Sequence, residues 1–191
     1  MKELLDYFKH SVSISPEIEH KINEIIKERN LVKGEQILTE NSNKKEHIFI
    51  ASGCLRSYYK SENGKEHTLQ FAIKNWWISD YITLYTNNKS VVTIESLTHS
   101  KVYIMDNSKV EKFYQEFPQF EMMQRKNFEK RIAALQKRIL NLLALTAAEK
   151  YNQFIEDYAD FEKIIPNYQI ASYLGITPQS LSRIRKERVK N

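Results

Sequence analysis

The segment from Ile165 to Glu187 sets one glycine, Gly175, between two stretches of helical spacing, which confines this part of the 191-residue chain to a helix, a tight turn and a second helix. Ile170, Ala171 and Leu174 recur at helical intervals, Gly175 permits the left-handed turn, and Ile176 fills the space between the helices. The second helix carries its own start signal. Thr177 can accept a backbone N–H as N-cap, Pro178 stands at the first helical position where its missing N–H costs nothing, and Leu181 and Ile184 turn inward. Gln179, Ser180, Arg183, Arg185 and Lys186 then remain outward. Glutamine and arginine pair two-pronged with adenine and guanine edges in the major groove, and Ser, Arg and Lys also hold phosphates. An ordinary helical hairpin with a solvated polar face is the alternative. The capped, arginine-rich second helix favours a nucleic-acid reader.

Charge is distributed to match. The formal net charge is +5, with thirteen Lys/Arg against eight Asp/Glu from Phe120 onward and sixteen of each before it. The basic excess therefore lies wholly in the C-terminal part, and from Arg183 onward five basic residues stand against one acid, a balance that attracts phosphate irrespective of sequence. A solvated helix end would also carry cations. The chain has no basic-then-apolar leader and no apolar run approaching the ~18 residues that span a bilayer, so a cytoplasmic protein with no membrane association is expected. Cys54 is the sole cysteine, which excludes an internal disulfide and a cysteine-ligated iron–sulfur cluster; it reads as a small core residue, with a redox sensor as the alternative.

The first half changes period. Ser15-Pro16 opens an amphipathic helix with Ile18, Ile22, Ile25 and Ile26 on one face, and strands are expected from about residue 31. Lys33-Gly34-Glu35 turns into Gln36-Ile37-Leu38, His47 to Tyr59 reads as one long strand or two, Asn63-Gly64 is a hairpin signal, Thr68 to Ile73 returns, and Ser90 to Ile104 completes the set. Many short strands with turn signals imply a sandwich or closed roll, giving an α+β chain. After Pro118, Phe128, Ile132, Leu135, Ile139 and Leu142 are spaced four, three, four and three, which is a heptad seam for a homodimer; packing on the chain's own strands is the alternative. Thr146-Ala147-Ala148-Glu149 is a capping box that marks a hinge, followed by a helix using Ala148, Tyr151, Ile155 and Tyr158. The expected divisions are 1–118, 119–145 and 146–191.

In this order the elements resemble the Crp/Fnr family of bacterial transcription regulators. The resemblance implies a double-stranded β-roll of the cyclic-nucleotide-binding type, a dimerisation helix, and a C-terminal all-helical DNA-binding part that reads a palindromic site and works with RNA polymerase. The family's three base-reading positions fall on Pro178, Gln179 and Arg183. Pro178 has no donor, so Ser180 or Arg185 would share the reading, with Thr177 and Lys186 beside them. The sequence as given stops at Asn191, so the β-hairpin wing of many members is expected to be absent.

The resemblance also invites a cyclic nucleotide as effector, and the residues argue against it. The family's ribose-binding Glu falls on Asp80 and its phosphate-binding Arg on Ser90, while a base-contacting position on the central helix falls on Leu135. A buried phosphate without a cation loses charge-assisted hydrogen bonds worth ~1.5–3 kcal/mol each. Lys89 would lie on the opposite face of a strand from Ser90. An unidentified small molecule held against Trp77, Asp80 and Tyr81 is the remaining expectation, with Trp76-Trp77 serving as core the competing one. No enzyme, cofactor or metal site is expected: His10, His20, His47, His67 and His99 are scattered, and no glycine-rich phosphate loop is present. A ligand-sensing or scaffold module without DNA binding is the alternative function.

Overall fold

The computed structural model describes residues 1–158 and 163–190; Asn191, on which the expected absence of a wing turns, lies outside them. In chain order the elements are α1 (Lys2–Lys9), α2 (Pro16–Ile25), β1 (Ile26–Leu31), β2 (Gln36–Leu38), β3 (Glu46–Ser52), β4 (Cys54–Lys60), β5 (Glu66–Ile73), β6 (Trp77–Ile78), α3 (Tyr81–Tyr85), β7 (Val92–Ser96) and β8 (Ser100–Asp106). They are followed by α4 (Asn107–Glu116), α5 (Pro118–Ala144), α6 (Ala147–Asp157), α7 (Asn167–Leu174) and α8 (Pro178–Lys190).

The strands form two four-stranded sheets, ordered β1-β8-β3-β6 and β2-β7-β4-β5. β8 pairs antiparallel with β1 (Ile26↔Met105 to Leu31↔Ser100) and with β3 (Glu46↔Asp106 to Ile50↔Val102). Strand parity then sorts the core into two layers. Ile48, Ile50, Val102 and Ile104 join Leu55, Ile78 and Ile94 in the interior of the roll, whereas Phe49, Tyr103 and Met105 join Leu4, Phe8, Ile22, Phe113 and Phe120 on the other face. Because β3 and β8 are covered on both faces they read as continuous apolar runs rather than alternating ones.

Local signals place most boundaries. Ser15 Oγ accepts from Ile18 N at 3.2 Å with Pro16 at the first helical position. Gly53, at φ 91°, divides His47 to Tyr59 into two strands, and a Cβ there would come 2.1 Å from Ser100 Oγ, so only glycine fits. One expected boundary needed correction. The α2 helix ends at Ile25, and Ile26 begins β1, about five residues before the expected change of period, because pairing with β8 outweighs local spacing along a largely polar edge strand. The helices α1 and α4, with Leu4, Leu5, Phe8, Val110 and Phe113 buried, were not anticipated.

The chain resolves into two compact units: Met1–Tyr59 with Gln70–Asn127, and Lys60–Leu69 with the chain from Phe128 onward. The second unit thus contains the tip of the β4–β5 hairpin as well as the C-terminal helices. No helix among the described residues is long and apolar enough to cross a membrane.

Candidate nucleic-acid interface and effector site

The helix-turn-helix is built as its residues require. Gly175 closes α7 in the left-handed region at φ 66°, and Ile170, Ala171, Leu174, Leu181 and Ile184 are buried between α7 and α8. Thr177 Oγ1 accepts from Ser180 N at 3.1 Å, so Thr177 is the N-cap of α8. Gln179, Arg183 and Lys186 are exposed, and Ser180 is half-buried. These side chains project on one surface beside an electropositive helix N-terminus.

Arg185 departs from the expected outward group. Its side chain is half-buried: Nε donates to the Tyr151 hydroxyl at 2.9 Å, a terminal nitrogen donates to Asn167 Oδ1, and the guanidinium lies 5.5 Å from the centre of the Tyr151 ring. Arg185 therefore joins α8 to α6 and α7. The support offered by α6 also differs in detail. Tyr151 and Phe154 are buried, Ile155 and Tyr158 are half-buried, and Ala148 is exposed. The capping box is complete, with Thr146 Oγ1 accepting from Glu149 N at 3.4 Å and Glu149 Oε2 from Thr146 N at 2.8 Å; the bonds that Oε2 accepts from Thr146 N and from Thr146 Oγ1 hold the Glu149 carboxyl below its usual pKa.

On α5 the spaced apolar residues stand uncovered. Ile132, Leu135 and Ile139 are 58, 46 and 56% exposed, Leu142 is 36% exposed and Phe128 is half-buried. Together they form a row of large apolar side chains open to water. Leu140 and Leu143, at 64 and 80%, widen the row on one flank.

The residues expected to form an effector site are otherwise engaged. Asp80 is buried as the N-cap of α3: one oxygen accepts from Ile82 N and Thr83 N and the other from Thr83 Oγ1 at 2.7 Å. Ser90 is buried, donating to Val92 O at 2.8 Å and accepting from Val92 N at 3.1 Å. Lys89 is exposed in a loop, and Tyr81 stacks on Tyr85 with ring centres 6.2 Å apart. Trp77 lies on the other face of its sheet from the roll interior, since its neighbour Ile78 takes the interior position. It packs against Phe49, Tyr7 and Phe8 at 5.1, 6.2 and 6.3 Å and lines a small apolar cavity with His47, Phe113 and Phe120. Leu135 is exposed on α5 and belongs to the second unit.

One buried cation was not anticipated. Arg56 is 2% exposed, and its Nε donates to Glu95 Oε1 at 2.6 Å while its guanidinium lies 4.1 Å over the Tyr58 ring. The sequence signal was parity. Arg56 and Glu95 alternate with Leu55 and Ile94, which face the roll interior, so the pair sits on the opposite face and its charge is matched by a carboxylate. Among the described residues no group of three or more His, Cys, Asp and Glu is placed to hold a metal ion.

Residues 28–117 match the model of the cyclic nucleotide-binding domain, and no match was found among curated proteins. Among solved structures, the chain is similar to FixK2 from Bradyrhizobium japonicum (TM-score 0.75, 18% identity, covering 87% of this chain and 85% of that one). A putative transcriptional regulator of the Crp/Fnr family from Eubacterium rectale is similar over 97% of this chain and 88% of that one (TM-score 0.74, 17% identity). CLP of Xanthomonas campestris, a c-di-GMP responsive global regulator, is similar over 90% of each chain (TM-score 0.73, 10% identity). Residues 28–117 are thus similar to cyclic nucleotide-binding domains, and the chain has the fold of the Crp/Fnr regulators.

Proposed function

We propose that this protein is a sequence-specific DNA-binding transcription regulator that acts as a homodimer and is not an enzyme. The observation that carries the reading is α8, a helix capped by Thr177 whose exposed side chains include Gln179, Arg183 and Lys186. Two of these suit base edges and all three suit the phosphate-rich surface of a duplex. The uncovered row on α5 supports pairing of two copies, which would present two recognition helices to a palindrome. Arg185 is assigned to the frame of the motif rather than to DNA.

For the roll, the reading is an effector other than cyclic AMP or cyclic GMP, or none. Asp80 and Ser90 already spend their polar atoms on α3 and on Val92, and Arg56 is matched by Glu95. An effector acts only through better binding to one arrangement of the dimer than to another. The test is selection from randomised duplex DNA by the purified full-length protein. A regulator enriches a palindrome with half-sites one helical turn apart, whereas a ligand-sensing or scaffold module enriches nothing and sinks the reading.

A further inference from the structure

We infer that Arg138 is the positioning residue of the DNA-binding unit, tying the tip of the β4–β5 hairpin to α7 and so setting where α8 is presented; this rests on α8 being the recognition helix. The hairpin tip, closed by Ser61 N to Lys65 O at 2.9 Å with Gly64 at φ 80°, belongs to the same compact unit as the C-terminal helices. β5 is the terminal strand of its sheet, so its outer backbone groups need partners from elsewhere. Ser172 of α7 supplies one set. Its hydroxyl donates to Glu66 O at 2.7 Å and accepts from Thr68 N at 2.9 Å, standing where a neighbouring strand would stand.

Arg138 of α5 supplies the other. One terminal nitrogen donates to Thr68 O at 3.0 Å and to Tyr173 O at 3.2 Å, the other donates to Leu69 O, and the guanidinium lies 4.0 Å over the Tyr173 ring. Tyr173 in turn stands edge-on to Tyr158 at 6.0 Å and contacts Phe154 at 5.8 Å. One planar cation therefore joins the hairpin tip, α5 and α7, and through Tyr173 reaches the core of α6. Lysine has neither the fork nor the flat face to do this. Burial pushes the Arg138 pKa downward, and its Nε is buried without a hydrogen-bond partner in the structure. A desolvated, incompletely satisfied guanidinium is a poor choice for stability alone, which apolar packing would provide more cheaply.

Its position gives it a second role. Arg138 follows Leu135 by three residues and precedes Ile139 by one, so the clamp occupies the same turn of α5 as the seam. The tip continues covalently into two strands of the roll. A change in strand position or in α5 pairing therefore biases the same element, α7, on which α8 packs through Leu174, Leu181 and Ile184.

The test is amide hydrogen exchange on the DNA-free full-length protein, with wild type, Arg138→Ala, Arg138→Lys and Ser172→Ala compared. Arg138→Ala is expected to speed exchange at least tenfold in residues 66–69 and 168–174 while Glu46–Ser52 stays protected. Arg138→Lys keeps the charge and recovers only a minor part. Ser172→Ala, the milder change that keeps the fold, speeds residues 66–68 and raises exchange in α7. In parallel, Arg138→Ala weakens binding to the selected DNA site at least tenfold with the dimer intact. Unchanged exchange in α7 for both Arg138→Ala and Ser172→Ala overturns the assignment, as does a uniform rise across the chain, which would make Arg138 a general structural residue. If wild type selects no DNA, the regulator reading fails on its own, and the exchange pattern still decides whether the clamp holds α7.

Discussion

Arg185 of α8 and Tyr151 of α6 are joined by an Nε–hydroxyl hydrogen bond of 2.9 Å, with the guanidinium 5.5 Å from the centre of the same ring. Arg185→Ala is expected to destabilise the protein by ~1–3 kcal/mol, and Tyr151→Phe, which removes only the hydroxyl, by ~0.5–1.5 kcal/mol. Urea denaturation of both single variants and the double variant reads the coupling. Additive losses would show that the contact carries no energy, and an Arg185→Ala protein of unchanged stability would return Arg185 to the exposed group.

Base reading separates Arg183 from Lys186, both exposed on α8. Arg183→Ala should cost ~1–3 kcal/mol on the preferred site and relax specificity at one base pair, while Lys186→Ala should weaken all duplexes alike and flatten the salt dependence by about one unit. Competition binding across a library of single-base variants measures both. Equal, specificity-neutral losses would remove Arg183 from the readers.

What could be read from sequence was what local chemistry decides. Ser15-Pro16, Gly175, Thr177-Pro178 and the Thr146–Glu149 box each satisfy their own backbone within a few residues, so their roles needed no knowledge of the rest of the chain. Arg185 was illegible because it lies one residue from buried Ile184, close to the edge of the apolar face, and a long side chain there turns outward or inward according to what it meets. What it meets is Tyr151 and Asn167, thirty-four and eighteen residues away. Arg138 was hidden for the same reason, since its partners are backbone carbonyls of a distant hairpin. Trp77 was legible in principle: once Ile78 is assigned to the roll interior, parity puts Trp77 on the other face.

Symmetry is tested at the seam. Leu135 is 46% exposed in the middle of the α5 row. If the row pairs with its copy, Leu135→Asp buries a charge in an apolar seam and should convert dimers to monomers, with the loss of high-affinity binding to a palindrome whose half-sites lie about 34 Å apart. Light scattering at micromolar concentration decides it. A monomeric wild type that still binds a palindrome tightly would overturn the pairing.

Cys54 is 1% exposed, and burial pushes its thiol up to about 12. Thiolate is the reactive form, so at pH 8 the folded protein should resist alkylation and react only as fast as it unfolds. Iodoacetamide labelling followed by mass spectrometry, with and without denaturant, measures this. Labelling of the native protein at the rate of a free peptide thiol would revive a redox role.

The roll offers the sharpest contrast with nucleotide-binding members of the family it resembles. Asp80 caps α3 with one carboxylate oxygen and accepts from Thr83 Oγ1 with the other, Ser90 is bonded to Val92 through its hydroxyl, and Arg56, facing away from the interior, is held by Glu95 at 2.6 Å. A cyclic phosphate entering the roll would have to displace one of these bonds or lie there without a cation, and an unpaired buried charge is costly. We expect no saturable binding of cyclic AMP or cyclic GMP below ~100 μM, a binding free energy weaker than about −5.5 kcal/mol. Titration calorimetry measures it directly. A micromolar dissociation constant that Lys89→Ala abolishes, accompanied by tighter DNA binding in the wild type, would mean that this exposed loop cation swings in to supply the missing charge and that the cap at Asp80 opens to admit the sugar.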